Sequence, residues 1–239
     1  MKKSITFLFV LSVSFLFAAE GDILLFDEFR NPTESAKNWF NFLSPNGKPY
    51  IDKEKVVIAD GMATLKNGTR LFSIVKNIRN CETEFEFRMS EDEVSDGKHR
   101  GFIGFELRPL LIKTPQSTPE ELEAERSFRV MAQIGRPMML NDINTPGKKP
   151  RRTANSHGMN QSKMPVMEAG RWYKMKLVCK NQDVEIWLDG VEIGTVKHKN
   201  EKDDFNPEGR IALWVHAGTG AFRNIIVTDT GDGAANEKQ

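Results

Sequence analysis

Cysteine is nearly absent from this 239-residue chain: Cys81 and Cys179 are the only two, so at most one disulfide can form within it. An excess of one charge is missing as well. Lysine and arginine total 34 against 33 acidic residues, and without Lys2 and Lys3 the balance is 32 to 33, which gives no reason to expect nucleic acid as a partner. Beyond Phe17 no stretch approaches the roughly 18 apolar residues that a membrane-spanning helix needs. No internal repeat and no Pro/Gly/Ser-rich linker divides the sequence, and its 4 histidines show no His-x-x-x-His or equivalent metal spacing.

What is present starts with an export signal. Lys2 and Lys3 precede an uncharged apolar run from Ile5 to Phe17, and Ala18 and Ala19 follow, the arrangement of a secretory signal peptide over residues 1–19. Its removal leaves a secreted or periplasmic protein with no membrane partner. About 220 residues remain, enough for one undivided all-β domain, expected over residues 20–229 with a disordered polar tail over 230–239.

Strand signals dominate that domain. Tyr173, Met175, Leu177 and Cys179 share one parity and Lys174, Lys176 and Lys180 the other, the period of a strand with one buried face. Asn181-Gln182-Asp183 reverses the chain, Val184, Ile186 and Leu188 repeat the alternation, and Asp189-Gly190 marks a second tight turn before Val191, Ile193 and Val196. A meander with one apolar face needs a second sheet to cover it. Asp60-Gly61 is a further hairpin signal, and Gly209–His216 and Phe222–Asp229 read as closing strands.

Three alternating segments carry polar groups opposite their apolar side. They are Cys81–Met89 with Glu84, Glu86 and Arg88; Phe102–Arg108 with Glu106 and Arg108; and Ser127–Gly135 with Arg129, Met131 and Gln133. If the strands are neighbours, they offer one shared face rich in carboxylate, guanidinium and amide groups. Trp214 and His216 stand on the matching parity of a closing strand. Each cysteine lies on the apolar parity of its own strand, so a Cys81–Cys179 disulfide and two separate buried thiols both remain open.

Two insertions interrupt the strands. Thr118-Pro119-Glu120-Glu121 has an N-cap, a proline at the first helical position and acids in the first turn, which predicts one short helix over 119–126. Residues 136–170 show no period and carry Arg136, Lys148, Lys149, Arg151, Arg152 and His157, a loop long enough to wall a site.

The order of segments resembles the 3-keto-disaccharide hydrolase family, within the concanavalin A-like jelly rolls. The residues that carry the likeness are Phe85-Glu86-Phe87-Arg88, Gly104-Phe105-Glu106-Leu107-Arg108, Arg129–Ile134, Arg171-Trp172-Tyr173, Ile186-Trp187-Leu188-Asp189-Gly190, Gly209-Arg210-Ile211-Ala212-Leu213 and Phe222-Arg223-Asn224-Ile225. The Glu-x-Asp-x-x-Glu strand motif of the related laminarinase-type glucanases does not occur. The resemblance implies a β-sandwich of two antiparallel sheets, with carbohydrate as the partner on its concave face and cleavage of a 3-keto-glycoside as the reaction.

That chemistry needs a base, an acid and a group to stabilise an enolate. Under this reading Glu86 or Glu106 is the base, His157 or His216 the acid or a metal ligand, and Arg108 or Arg129 the oxyanion partner, while Arg88, Gln133 and Trp214 complete the substrate contacts. A divalent metal is the one cofactor left open, with Asp27 or Asp229 as candidates for a structural calcium ion. The alternative is a lectin-like module that binds glycan without cleaving it.

Overall fold

The structure is a computed structural model that describes residues 21–44, 46–90, 101–112, 123–125, 127–141, 163–197 and 207–231. The expected signal peptide over 1–19, most of the polar tail and residues 142–162 with His157 lie outside these. In chain order the elements are β1 (Ile23–Asp27), α1 (Pro32–Asn38), β2 (Trp39–Phe40), β3 (Phe42–Leu43), β4 (Pro49–Tyr50), β5 (Val56–Ala59), β6 (Met62–Leu65) and β7 (Thr69–Ser73). They continue with β8 (Cys81–Ser90), β9 (Phe102–Leu107), β10 (Leu110–Ile112), β11 (Glu123–Glu125), β12 (Phe128–Gln133) and β13 (Met139–Asn141). The last are β14 (Trp172–Lys180), β15 (Asp183–Leu188), β16 (Val191–Val196), β17 (Ile211–Ala217) and β18 (Thr219–Asp229).

The meander forms as its alternation predicts. Asp189 and Gly190 adopt φ of 49° and 80°, the positive values a tight hairpin turn requires, and β14, β15 and β16 pair antiparallel in sequence order. They make one end of an eight-stranded sheet ordered β16-β15-β14-β8-β18-β6-β5, with β1 added alongside β18. A six-stranded sheet ordered β13-β12-β9-β17-β7-β2 covers it. The two antiparallel sheets form the expected jelly-roll sandwich, and the chain passes from one to the other at Gly218, between β17 and β18.

The core lies where the apolar parities of the two sheets meet. Phe85 of β8 stacks on Phe105 of β9 across the interface, with ring centroids 4.5 Å apart and planes inclined by 19°, and Phe87 stacks on Tyr173 at 5.4 Å. Each large apolar side chain removed from water here contributes roughly 1.5–3 kcal/mol before chain entropy is counted.

The helix is elsewhere than expected. Residues 123–125 form β11, antiparallel to β10, and the rest of the expected segment up to 122 lies outside the described residues. The helix of the described residues is α1, whose cap is Asn31: its side-chain oxygen accepts from the backbone N–H of Thr33 at 3.0 Å and of Glu34 at 3.4 Å, with Pro32 beginning the first turn. Asp27 holds α1 to the sandwich by accepting from Phe29 N, Ser35 Oγ, Asn38 Nδ2 and Trp39 Nε1 at 2.7–3.1 Å. That buried carboxylate is occupied by hydrogen bonds, which removes Asp27 as a calcium ligand. Among the described residues no three His, Cys, Asp or Glu side chains converge on a metal position, and no helix is long and apolar enough to cross a membrane.

Cys81 and Cys179 face one another directly across β8 and β14, yet both are free thiols with no exposed surface. In this structure the two sulfurs are not bonded to each other. Instead each sulfur has turned to a polar neighbour two residues on, Cys81 to Thr83 Oγ1 within β8 and Cys179 to the Asn181 carbonyl in the turn after β14, both at 3.8 Å. Burial pushes the pKa of both thiols up, that of Cys179 to about 12, and so keeps them protonated. Neither cysteine should therefore react with iodoacetamide in the native protein, and both should be alkylated after unfolding without reductant. An intact mass showing no alkylation of the unfolded, unreduced chain would establish the bridge instead.

Candidate functional site

The side of the six-stranded sheet that faces away from the core carries a charged layer. On β9 the parity opposite Ile103, Phe105 and Leu107 presents Phe102, Gly104 and Glu106; on β12 it presents Arg129, Met131 and Gln133. β17 adds Ala212, Trp214 and His216, and β7 adds Arg70. The register places Arg129 and Ala212 on either side of Glu106, and Met131 and Trp214 on either side of Gly104.

Glu106 is fully buried and is paired from two sides. Arg129 Nη2 lies 2.6 Å from Oε1, Arg70 Nε donates to the same oxygen at 3.3 Å, and Ser127 Oγ donates to Oε2 at 3.2 Å. Arg70 comes from β7, two strands away, and the small side chain of Ala212 between them leaves that path open. Burial alone would raise the Glu106 carboxyl, but Arg129 first, then Arg70 and Ser127, hold it below the usual carboxylate range. Arg129 is nine-tenths buried, and burial pulls its guanidinium down from its ordinary value while Glu106 keeps it charged. Its Nε and Nη2 have no hydrogen-bond partner of good geometry, so Nη2 meets Glu106 as an ion pair by distance alone.

Trp214 lies on this cluster. Its ring is 4.4 Å from the Arg129 guanidinium and 5.1 Å from that of Arg70. The indole fits because residue 104 is glycine: a Cβ there would stand 2.8 Å from Trp214 Cε3. Phe102 and His216 close the far side, at 5.6 Å and 5.1 Å from the indole and 5.2 Å from each other. Trp214 and Gln133 are each only 7% exposed, so the layer is roofed and its reachable rim is His216, Phe102 and Arg70.

The expected shared face is thus divided. Glu106, Arg129, Gln133, Trp214 and His216 are together, but β8 belongs to the other sheet, which puts Glu86 and Arg88 on the opposite outer surface, across the whole core. There Glu86 accepts from Arg223 Nε and Nη2 at 2.9 and 2.6 Å and from Asn224 Nδ2 at 2.7 Å. Arg108 leaves the face for a different reason. It follows the last residue of β9 with φ of 54°, outside the extended region, and this turns the side chain to the end of the sandwich. Its buried guanidinium donates to the Arg79 carbonyl at 2.9 Å and the Asn181 carbonyl at 2.6 Å, tying the entry of β8 to the β14–β15 turn.

Arg70, Phe102 and Ser127 are the members of the layer that strand patterning misses. The apolar run over 71–75 starts one residue after Arg70, although the parity that buries Leu71 already turns Arg70 outward.

Two stability predictions follow from these pairings. Glu106→Gln should destabilise the protein by about 3–5 kcal/mol at pH 7 in urea unfolding, because two guanidiniums lose their counter-charge in a buried setting. A carboxyl lowered on folding contributes fully above its ordinary value of about 4.5, and that contribution fades as pH falls through the folded value, so the variant should also lose stability less steeply on acidification. An unchanged midpoint at pH 7 would show that Glu106 does not balance the arginines. Arg108→Met should cost about 3 kcal/mol by leaving buried carbonyls unsatisfied, with little effect on ligand binding at the six-stranded sheet. A binding defect larger than its stability defect would return Arg108 to the site.

Among solved structures the sandwich is similar to a protein of unknown function with a galectin-like fold from Bacillus subtilis, at 13% identity and a TM-score of 0.56 over 87% of this chain and 96% of that one. It is similar also to the β-porphyranase of the gut bacterium Bacteroides plebeius, at 12% identity and 0.51 over 85% and 89%, and to SCLam, a non-specific endo-β-1,3(4)-glucanase, at 10% and 0.51 over 88% and 91%. At these identities the likeness is one of fold. No curated protein matches the chain. The family is carried by the sequence itself: residues 23–228, nearly all of the described fold, match the 3-keto-alpha-glucoside-1,2-lyase-like domain, and the chain belongs to that 3-keto-disaccharide hydrolase family.

Proposed function

We propose that this chain is an exported carbohydrate-active protein that cleaves 3-keto-glycosides at the outer face of the six-stranded sheet. The observation that carries the reading is the Arg70–Glu106–Arg129 cluster beneath Trp214: two guanidiniums against one carboxylate, with buried donors of Arg129 lacking a hydrogen-bond acceptor. An excess of oriented positive charge in a water-poor layer suits an oxygen that becomes negative during reaction.

A ketone at C3 of the sugar acidifies the C2–H bond. Removal of that proton leaves an enolate oxygen, and expulsion of the C1 oxygen substituent restores the carbonyl as a C1–C2 double bond forms; the departing oxygen takes up a proton. Addition of water across that double bond would complete a net hydrolysis. Arg70, the guanidinium that reaches the rim, is assigned to the enolate oxygen, with Arg129 behind it adding positive charge from beneath Trp214. Glu106 is a positioning residue rather than the base, because both of its oxygens are engaged and its carboxyl is held ionised by the arginines. His216, exposed at the rim and 5.1 Å from Trp214, is the proton-transfer group assigned among the described residues. Glu106, ligated by arginine and serine, does not suit a cation, so a divalent metal is not assigned to this cluster.

A second reading has its own support. With the Glu86 and Glu106 carboxylates both committed to basic partners, the same face could bind glycan without cleaving it. One experiment separates the two: incubation with 3-keto-disaccharides and their unoxidised parents, with and without divalent metal, followed by product mass. Cleavage of the keto forms alone is expected, with Arg70→Met lowering kcat/KM by about 10²-fold or more and His216→Ala lowering kcat. Absence of cleavage, with polysaccharide retained in a pull-down, would establish the lectin-like reading.

A further inference from the structure

The outer surface of the eight-stranded sheet carries a second charged arrangement, and it is built differently. Along β8 the outward residues are Glu82, Glu84, Glu86 and Arg88. Each of the three acids is matched by a cation on a neighbouring strand: Lys176 Nζ lies 2.7 Å from Glu82, Lys174 Nζ 2.5 Å from Glu84, and Arg223 Nη2 2.6 Å from Glu86. The ladder then breaks. At the fourth position the acid is replaced by Arg88, whose cross-strand partners are Trp172 on β14 and Ala221 on β18.

Among the described residues no carboxylate meets Arg88. Its Nη2 contacts the sulfur of Met62 at 3.8 Å, and its Nε is buried with no hydrogen-bond partner. A guanidinium that has given up water without gaining an acceptor is a costly arrangement unless a ligand completes it. The half-buried Trp172 indole is fixed beside it, 4.8 Å from the Arg88 guanidinium and 4.1 Å from that of Arg223. A β-bulge after Arg223 displaces the pairing so that Arg223 and Asn224 both reach Glu86, while Ile225 turns into the core. This locks Arg223 over the tryptophan and leaves Arg88 as the unmatched charge.

We propose that Trp172 and Arg88 form a second carbohydrate site, for a uronic acid residue of a glycan chain. The sugar ring lies against the exposed part of the indole, and its carboxylate takes the place of the missing acid of the ladder beside Arg88. The planar guanidinium fork matches a carboxylate in two-point contact, and the three neighbouring rungs are carboxylate–cation pairs of the same kind at 2.5–2.7 Å. The site is separated from the Trp214 layer by the full thickness of the sandwich, and it does not depend on whether that layer cleaves its ligand.

Affinity electrophoresis and calorimetry with polygalacturonate, dextran sulfate and neutral dextran test the proposal on the whole protein. Polygalacturonate should bind, with an affinity that falls as salt rises, and neutral dextran should bind much more weakly through this face. Arg88→Gln and Trp172→Leu should each weaken polygalacturonate binding about tenfold or more, the loss expected for one charge-assisted contact. Trp214→Leu, on the opposite face, should leave that affinity unchanged. Arg88→Gln removes the charge from a partly exposed position, so a cooperative melt at the parent temperature keeps the test informative if Trp172→Leu fails to fold. No binding of polygalacturonate, binding indifferent to Arg88→Gln, or equal and Arg88-dependent binding of dextran sulfate would overturn the assignment to a uronate.

Discussion

Phe85 and Phe105 stack across the sandwich at 4.5 Å, and much of the functional geometry depends on that contact. A strand residue that points into the core forces its two chain neighbours outward. With Phe85 inward, Glu84 and Glu86 face solvent on the side of the eight-stranded sheet; with Phe105 inward, Gly104 and Glu106 face away on the side of the six-stranded sheet. The same stack that joins the two sheets therefore sends the two glutamates in opposite directions. A one-residue slip in either strand would exchange aromatic and acid, exposing one and burying the other in the core.

This explains why the parities were legible in the sequence and the grouping of the polar residues was not. Alternation is local: it shows that Glu86 and Glu106 both oppose an apolar side. Sheet membership is set by pairing over long distances, since β8 lies between β14 and β18 whereas β9 lies between β12 and β17. Nothing in Cys81–Met89 alone favours one set of neighbours over the other. The Asp-Gly turns were readable because their chemistry is contained in two residues. The helix at Pro32 has an equally local signature, Asn31 then Pro32 then Glu34, but its seven residues are too few to show the apolar period by which a helix is recognised. Arg108 was out of reach because a single positive φ at the end of β9 cancels the parity rule for that residue.

The buried layer on the six-stranded sheet illustrates a general tension in reading acids as catalysts. Glu106 is one of the two acids that the family resemblance offers as a base, yet a carboxylate with no exposed surface persists only if it is paired, and the pairing is what removes its basicity. Arg129 and Arg70 gain in orientation what Glu106 loses in reactivity. Packed against Trp214, with Gly104 leaving room for the indole, neither guanidinium is free to swing as an exposed side chain would. The chemistry such a cluster suits is stabilisation of negative charge, with proton transfer left to a group at the rim.

The two outer faces thus solve the same charge problem at different depths. On the six-stranded sheet the acid is buried and the cations are drawn in around it, so the excess charge is held under the aromatic ring in a setting where electrostatic interactions are strong. On the eight-stranded sheet the acids are partly solvated, each rung of the ladder is worth a fraction of a kcal/mol, and the unmatched Arg88 sits beside an indole that water can still reach. The first arrangement is rigid and suited to a developing charge on a small group. The second is shallow, and a ligand there would gain its hold through contact along a chain of sugars rather than through enclosure of one.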